Sequence, residues 1–213
     1  MPTVLTRVLR PLIRAHLTAL RLLLVFTVLC GLAYPLLITG FAQLALSRQA
    51  DGSRLHQDGR VIGSSLLGQS FDLPKKNPDD PKEWPLPDPK WFQPRPSAGG
   101  YDPTASGASN LGSNNSALTG SVDDRRAAVA AFDGVDPAAV PPDALTASGS
   151  GLDPHISLGY AHEQVDRVAR ARGLDPQVVR RLVDGYVTGR VLGFLGEPRV
   201  NVLELNLALS QFG

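Results

Sequence analysis

One apolar stretch near the start dominates the hydrophobic pattern of the chain. Residues 22–46, LLLVFTVLCGLAYPLLITGFAQLAL, run for 25 positions without a charged side chain, and 19 of them are hydrophobic. A membrane-spanning helix needs about 20 mainly apolar residues. The apolar part of a signal peptide has about 7 to 15 residues and ends in an A-x-A pattern, which this stretch lacks. We therefore predict a retained transmembrane helix over 22–46.

Small and polar residues interrupt the apolar pattern of this span. Pro35 removes one backbone donor and clashes with the carbonyl of Gly31, so we expect a bend there. Small residues let a second helix approach closely, and an amide can hydrogen-bond across such a contact. The predicted interface with partner helices comprises Gly31, Tyr34, Pro35, Gly40 and Gln43. The alternative is that Gly and Pro are simply commoner in membrane helices.

The remaining residues, 47–213, predict a small mixed α/β domain with long loops rich in Pro, Gly and Ser. The predicted fold class is therefore α+β behind one N-terminal transmembrane helix. Turn signals at Asp51-Gly52 and Asp58-Gly59 predict a hairpin or short strand within 47–71. Residues 72–103 hold nine of the 18 prolines, and 101–118 is dense in Gly, Ser and Asn, so both stretches predict loops.

The second half of the chain carries helix signals. An amphipathic pattern predicts a helix from about Ser121 to Phe132, closed by Gly134. Ser157 is placed to cap a helix over 158–172, and Asp175 a helix that Gly185 ends.

Two C-terminal segments have patterns that combine signals for different secondary structures. GRVLGFLG, residues 189–196, predicts a strand with a turn. In 201–212, Leu203, Leu205, Leu207 and Leu209 alternate as in a strand. Asn201 with Glu204 resembles a capping box, which favours a helix for this last segment.

Charge sets the predicted orientation. Arg7, Arg10, Arg14 and Arg21 precede the span, and the first carboxylate of the chain is Asp51. Because short cationic flanks stay in the cytoplasm, we predict a cytoplasmic tip over 1–21 and an extracytoplasmic domain over 47–213. That domain holds 17 of the 21 Lys and Arg against all 20 Asp and Glu.

This topology and the composition exclude nucleic-acid binding, an internal disulfide and a cysteine-based zinc site. The helices on either side of Gly173 resemble a DNA-reading helix-turn-helix with several arginines, but the domain would lie across the membrane from any chromosome. The net charge of +1 also lacks the basic excess of a nucleic-acid-binding protein. Cys30 is the single cysteine and lies in the span, which excludes an internal disulfide and a cysteine-based zinc site in the domain.

The segment TASGSGLDPHIS suggests a serine hydrolase as one alternative. Ser148, Ser150, Asp153 and His155 supply the atom types of such a site. However, the G-x-S-x-G nucleophile elbow is absent. The competing interpretation is a Gly-Ser turn whose Asp and His hydrogen-bond to the backbone.

A cation receptor is the second alternative. The histidines beyond the span show no i, i+4 pairing, so no metal site is predicted. Potassium prefers oxygen ligands, and Asp102, Asn110, Asn114 and Asn115 lie in one polar loop. No G-x-x-x-x-G-K-[ST] phosphate-binding loop is present either.

Six segments carry a resemblance to a known family. They are GLAYPLL (31–37), GSSLLGQSF (63–71), WFQPRPSAGGYD (91–102), SGASNLGSNN (106–115), TASGSGLDPHIS (146–157) and GFLGEPRVNVLELNLAL (193–209). In this order they resemble the C subunit of the bacterial Kdp potassium-transporting ATPase, over nearly the entire chain. The stretch 72–90 looks longer and richer in proline than the family's usual connection, and Trp91 stands where a tyrosine is more usual.

The resemblance implies a non-catalytic accessory subunit of an ATP-driven, high-affinity potassium import complex in the bacterial inner membrane. The implied partners are a channel-like potassium-translocating subunit, a P-type ATPase subunit, a very small helical subunit and membrane lipid. Such subunits are described as catalytic chaperones that raise the ATP affinity of the ATPase subunit, and as assembly factors that stabilise the translocating subunit. No cofactor is expected on this chain, since the complex handles ATP and potassium.

The same resemblance marks loop residues as a docking surface or as structural turns. We expect the ATP effect to be conveyed through partner contacts, with a coupling free energy on the order of 1–3 kcal/mol. The marked positions are Gly63, Gly68, Gln69, Arg95, Pro96, Ser97, Tyr101, Asp102, Ser109, Asn110, Ser148, Gly149, Ser150, Gly151, Asp153, Pro154 and His155, and near the C-terminus Gly196, Glu197, Arg199, Asn201 and Asn206.

Overall fold

The structure is a computed structural model that describes residues 4–77, 79–80 and 85–212. The chain divides into two compact units, Met1–Ser53 and Arg54–Gly213. Part of the predicted cytoplasmic tip (1–3) and part of the predicted proline-rich loop (78 and 81–84) lie outside the described residues.

The first unit is helical. Helix α1 covers Val4–Val28, a π-helical turn covers Leu29–Ala33, α2 covers Tyr34–Ala45 and the short α3 covers Ser47–Ala50. The stretch Leu9–Ala45 is long and apolar enough to cross a membrane, and none of its residues is buried. This stretch therefore includes residues 22–45 of the predicted span 22–46, and it begins well before residue 22; Leu46 directly follows the last helical residue.

The π-helical turn lies where the sequence predicted an irregularity. The Tyr34 N–H donates to the carbonyl of Leu29, five residues earlier, instead of to the residue four earlier. Pro35 follows directly and has no N–H to offer Gly31. A wider turn before the proline is a known way for a helix to absorb such a break.

The second unit opens with the predicted hairpin. Strand β1 (Arg54–Gln57) pairs antiparallel with β2 (Arg60–Ser64). The two residues between them, Asp58 and Gly59, have φ values of 50° and 76°. Positive φ at both central residues is what a two-residue hairpin turn of type I′ requires, and Asp-Gly supplies it.

A small antiparallel sheet forms the centre of the second unit. Its strands are β3 (His155–Ser157), β4 (Val187–Thr188) and β5 (Arg199–Asn201), in the order β3-β5-β4. Val200 pairs with Ile156 on one side and with Val187 on the other. The middle strand therefore joins two segments that are about thirty residues apart in the chain.

Helices pack around this sheet. They are α4 (Ser116–Asp133), α5 (Pro142–Leu145), α6 (Leu158–Glu163), α7 (Val165–Arg172), α8 (Pro176–Gly185) and α9 (Val202–Leu209), with 3₁₀ turns at Pro137–Ala139 and Ser210–Phe212. The core they enclose includes Phe92, Ile156, Val165, Val168, Val179, Val183, Val200, Leu205 and Leu209. Burial of such side chains is the main source of stability for a domain of this size.

The predicted caps are confirmed. Ser157 accepts a hydrogen bond from the Tyr160 N–H, Asp175 from Gln177, and Asn201 from Glu204. Residues 202–209 are helical, so the cap outweighed the alternating leucines. Helix α4 begins at Ser116, five residues earlier than predicted, because Asn115 caps it.

Two predictions differ from the structure. The helix predicted over 158–172 is divided at Gln164, which is completely buried at the junction of α6 and α7. Of the strand with a turn predicted over 189–196, the turn is present, with Val191 and Leu195 in an isolated antiparallel bridge, but the strand is not: β4 covers Val187–Thr188 instead. Leu192, Gly193 and Gly196 have φ values of 55°, 81° and 80°, which lie outside the β region and turn the chain back on itself.

Candidate functional site

Three loops that are far apart in the sequence meet in one place, which we call the loop cluster (residues 63–69, 95–107 and 146–155). The Gly68 N–H donates to the carbonyl of Leu152 at 2.8 Å, and the Gly107 N–H donates to the carbonyl of Ser150 at 2.8 Å. The loop 146–155 is thus held by backbone hydrogen bonds from each of the other two loops.

Side chains of the loop 95–107 hold it against the loop 146–155. The hydroxyl of Ser97 donates to the Gly151 carbonyl at 2.6 Å and accepts from the Tyr101 N–H at 3.0 Å. The phenol of Tyr101 donates to the Arg95 carbonyl at 2.6 Å. Burial is the main reason that the pKa of Tyr101 lies above its usual value, so this phenol stays a hydrogen-bond donor.

An ionic contact joins the same segments. Arg95 Nη1 lies 3.2 Å from Asp153 Oδ2, and the other carboxylate oxygen of Asp153 accepts from the backbone N–H of His155 at 3.0 Å. The His155 ring nitrogen Nδ1 is 3.3 Å from that oxygen. Partial burial raises the pKa of Asp153, but the hydrogen bonds from His155, together with the charges of His155 and Arg95, outweigh it and hold the pKa below its usual value.

Two glycines permit the close approach of these loops. A Cβ on Gly68 would lie 2.7 Å from the Asp153 carbonyl oxygen, and one on Gly151 would lie 2.7 Å from the Gly107 carbonyl oxygen. Gly151 also has a φ of 68°, which disfavours any residue with a side chain. The family resemblance singled out Gly68 and Gly151, and the structure shows that backbone carbonyl oxygens lie in the space where a side chain would start.

Two clefts border the cluster, and Arg95 lines both. The larger, of about 710 Å³, lies between Tyr101, Arg125, Tyr160 and a series of prolines. The smaller, of about 500 Å³, is lined by Leu66, the loop 148–150 and residues 152–154.

The predicted hydrolase residues do not form a nucleophile and base pair. Ser150 Oγ accepts from the Leu152 N–H at 3.1 Å, and His155 is engaged with Asp153. No hydrogen bond joins the His155 ring to a serine hydroxyl within residues 4–77, 79–80 and 85–212. The geometry matches the turn interpretation for Asp153, which accepts from the backbone N–H of His155, whereas the His155 ring contacts the Asp153 carboxylate and not the backbone.

The predicted cation ligands are partly committed to local structure. Asp102 accepts from the N–H and hydroxyl of Thr104, at 2.8 and 2.6 Å, which lowers its pKa. Asn115 caps α4 at Ala117. The part of the chain that the structure describes contains no group of three or more His, Cys, Asp or Glu side chains placed to hold a metal ion.

The other marked residues are distributed more widely. Gln69 donates to the Ile62 carbonyl at 2.9 Å, and Asn201 donates to the Ser65 carbonyl at 2.8 Å, so both hold the segment that follows β2. Ser109 and Asn110 are exposed. The remaining marked residues are Gly63 in β2, the buried Ser148 and Pro154, the partly buried Pro96, the exposed Gly149, Gly196 and Glu197, and Arg199 in β5.

A second network, which sequence reasoning missed, fixes the proline-rich segment to the helices. Arg167 is 4% exposed and donates to Asp133, to the carbonyls of Pro89 and Trp91, and to Gln164. The marked Asn206 pairs with both backbone groups of Phe92, each at 2.9 Å. An Arg on an amphipathic helix ordinarily faces solvent, so only the tertiary structure reveals that Arg167 points inward.

The predicted membrane residues lie in the first unit. Tyr34 and Pro35 begin α2, directly after the π-helical turn that contains Gly31. A Cβ on Gly40 would meet no atom within 4 Å, and Gln43 donates to Asp51 at 3.2 Å. Beside Gly31, a Cβ would meet the Thr27 methyl group at 4.0 Å.

These observations define a class of protein with one long apolar N-terminal helix and a small α+β domain whose loops are fastened by buried polar contacts. Comparison with known proteins gives the family. The model of the family "KdpC: K+-transporting ATPase, c chain" matches residues 16–211. The chain belongs to this family and is thus a potassium-transporting ATPase subunit, as the six sequence segments indicated.

Individual relatives agree with this assignment. A potassium-transporting ATPase KdpC subunit of Kineococcus radiotolerans is 55% identical over 93% of this chain and 94% of its own length. The subunit of the same name from Streptomyces coelicolor is 48% identical over 93% and 92%, and that from Sorangium cellulosum is 54% identical over 92% and 97%.

Proposed function

We propose that this chain is a non-catalytic accessory subunit that assembles with a potassium-translocating subunit, a P-type ATPase subunit and a small helical subunit in a bacterial inner membrane. The proposal rests on family membership together with the division of the chain into an unburied apolar helix and a separately folded domain. ATP and potassium are handled by the complex, and this chain stabilises the translocating subunit.

The proposed orientation places the N-terminus in the cytoplasm and the domain outside. Four arginines and no carboxylate precede the span, which supports this direction. The test replaces Cys30 by serine and introduces one cysteine at the exposed Ser109. A membrane-impermeant maleimide added to intact spheroplasts is expected to label this cysteine, and labelling only after lysis would contradict the orientation.

The apolar helix supplies the proposed membrane contact with partners. Gly31 and Gly40 have free space beside them, because an added Cβ would meet only Thr27 at 4.0 Å or nothing. A larger residue at either position is therefore compatible with the fold of this chain. If such a residue prevents assembly, the cause is a clash with a neighbouring helix of a partner.

Any effect on ATP affinity follows from coupling in this proposal. The domain has no phosphate-binding loop of the G-x-x-x-x-G-K-[ST] type in its sequence. With the domain outside, only about 21 residues face the compartment where ATP binds. The coupling free energy, on the order of 1–3 kcal/mol, would pass through partner contacts.

One experiment tests the accessory role directly. The partner subunits are expressed in bacterial membranes with this chain, without it, or with its Gly40→Leu variant. Thr39→Leu is the matched control on a neighbouring face of the same helix. We expect potassium-stimulated ATPase activity and recovery of the translocating subunit to fall without the chain and with Gly40→Leu, but not with Thr39→Leu. Full activity without the chain would overturn the proposal.

A further inference from the structure

Three arginines form a line along helix α1, directly before the uncharged part of the span. We call them the arginine stripe (Arg10, Arg14 and Arg21), and all three are exposed. At about 100° of rotation and about 1.5 Å of rise per residue, these positions fall within an arc of about 40° and extend over about 17 Å. One narrow face of the helix therefore carries three positive charges, since Arg stays protonated at every physiological pH.

This chain supplies no counter-charge to the stripe. The first acidic residue of the sequence is Asp51, which lies 30 residues after Arg21. Within the part of the chain that the structure describes, no ion pair involves a stripe arginine. The polar side chain nearest in sequence bonds inside the helix, because the Thr18 hydroxyl donates to the Arg14 carbonyl at 2.9 Å. The stripe is thus available to an anionic partner.

The side of the helix next to the stripe is apolar. Its centre lies about 100° around the helix from the centre of the stripe. Its side chains, each about half exposed, are Leu9, Leu12, Ile13, Leu17 and Leu20. A helix with a basic border along an apolar side is typical of segments that lie between the headgroups and the acyl chains of a membrane.

The length of the helix places the stripe at the membrane surface. The stretch Leu9–Ala45 is about 55 Å long at about 1.5 Å per residue, whereas the hydrocarbon core of a bilayer is about 30 Å thick. The charge-free residues 22–45 alone are long enough to cross that core. Arg21 therefore lies at the level of the headgroups. Tilting, which accommodates an overlong apolar helix, brings the rest of the stripe toward the same layer.

The chemistry of the two sides favours a phospholipid over an acidic protein surface as the occupant. A guanidinium group matches the geometry of a phosphate and forms two parallel hydrogen bonds with it. Long Arg side chains also reach a phosphate while their aliphatic part stays on apolar surface. An acidic protein surface would satisfy the charges but not the bordering leucines, whereas one phospholipid offers a phosphate and an acyl chain together.

We propose that the arginine stripe binds the phosphate groups of anionic phospholipids, with the bordering leucines against the acyl chains. Arg10 and Arg14 precede residue 16, where the family match begins, so this contact adds to the matched region. The inference rests on the membrane placement in the proposed function and does not involve the partner subunits. Anchors of this kind set the tilt and rotation of a span. The lipid contact therefore orients the helix that carries Gly31 and Gly40.

The test uses the full chain, purified in a neutral detergent and incubated with equal amounts of phosphatidylglycerol and phosphatidylcholine that carry the same acyl chains. Mass spectrometry counts the lipids that stay bound. The test variant carries Arg10→Gln, Arg14→Gln and Arg21→Gln, because Gln preserves helix propensity while removing the charge. The matched control loses three exposed arginines of the folded domain instead, through Arg60→Gln, Arg170→Gln and Arg181→Gln.

Each Arg beside an anionic lipid surface contributes about fivefold in affinity, so the stripe as a whole should give a clear preference. We expect the wild type and the control to retain about tenfold more phosphatidylglycerol than phosphatidylcholine, and the stripe variant to lose this preference. Equal retention of the two lipids by the wild type, or an unchanged preference in the stripe variant, would overturn the inference.

A second measurement identifies the neighbour in membranes. A photo-reactive residue replaces Leu17, beside the stripe, and the chain is expressed with its partner subunits. We expect crosslinks to phospholipid, and crosslinks to protein alone would overturn the inference while leaving the accessory role intact. If carbonate washing releases the chain from the membranes, the membrane placement is wrong and the proposed function fails with it.

Discussion

Gln93 and Gln164 are joined by two hydrogen bonds that imitate the pairing of two strands. The Gln93 N–H donates to Gln164 Oε1 at 2.6 Å, and Gln164 Nε2 donates to the Gln93 carbonyl at 3.1 Å. The same Oε1 accepts from Arg167 at 2.6 Å. One side chain at the junction of α6 and α7 thus satisfies both backbone groups of Gln93 in the proline-rich segment.

Gln164→Leu tests this contact. The change leaves the two backbone groups of Gln93 and one nitrogen of Arg167 without their partner in a buried setting. Because each buried unsatisfied group costs about 1–3 kcal/mol, we expect the free energy of unfolding to fall by about 3 kcal/mol. Urea denaturation of the full chain in detergent measures it. Gln177→Leu, on the exposed side of α8, is the control, and an equal effect of both changes would contradict the role of Gln164.

Gly151→Ala tests the close approach of the loops. The new Cβ would lie 2.7 Å from the Gly107 carbonyl oxygen, at a φ of 68°. We expect a loss of about 2 kcal/mol and faster proteolytic cleavage between residues 95 and 107, because strain and contact act together. Gly149→Ala is the matched control, since a Cβ there meets nothing within 4 Å. Wild-type protease resistance of Gly151→Ala would show that the loops are not held at this point.

Asp153→Asn tests the ionic contact. The folded state lowers the pKa of Asp153, so the ionised carboxylate contributes stability at neutral pH that is lost as the pH falls through the lowered pKa. We expect the variant to be about 1 kcal/mol less stable at pH 7 and equal to the wild type in strong acid. Unfolding midpoints across pH measure the difference. The exposed Asp124→Asn should show no such dependence, and a pH-independent deficit of Asp153→Asn would point to packing instead.

Glu163 predicts the opposite pH dependence. Burial and the charge of Asp133 raise the pKa of Glu163 to about 7. The folded state therefore holds the proton more tightly than the unfolded state, and stability falls as the pH rises from about 4.5 to 7.

Glu163→Gln removes this dependence. We expect it to flatten the decline and to leave the variant about 1–2 kcal/mol more stable than the wild type above pH 7, a reduced figure because the carboxyl is partly exposed. Calorimetry or urea denaturation between pH 5 and 8 provides the measurement, with Glu197→Gln at an exposed carboxylate as the control. A parallel decline in Glu163→Gln and the wild type would assign the effect to another group.

Much of the fold could be read from local signals. The Asp58-Gly59 turn, the caps at Ser157 and Asp175 and the helix after Asn201 depend on neighbours within a few residues, and the structure confirms each of them. In segment 189–196 the predicted turn is present but the predicted strand is not, because the positive φ values of Leu192, Gly193 and Gly196 lie outside the β region. An apolar pattern cannot show which side of a segment will be covered.

The residues of the candidate site were likewise only partly predictable from the sequence. The family segments marked Gly68, Arg95, Ser97, Gly151 and Asp153, and the structure brings these residues together. Their spacing in the sequence does not show which of them touch, because the contact between Arg95 and Asp153 spans 58 residues. Asp133, Gln164 and Arg167 were missed, since polar residues on helices usually face water.

The sequence by itself determined the apolar helix, the α+β class, the local caps and turns, and the family, because each depends on composition or on order along the chain. Only the tertiary structure decided that the marked loops form one cluster, that a buried arginine holds the proline-rich segment, and that residues 191–195 stay exposed. These outcomes depend on which distant surfaces exclude water together, and that is settled when the chain folds.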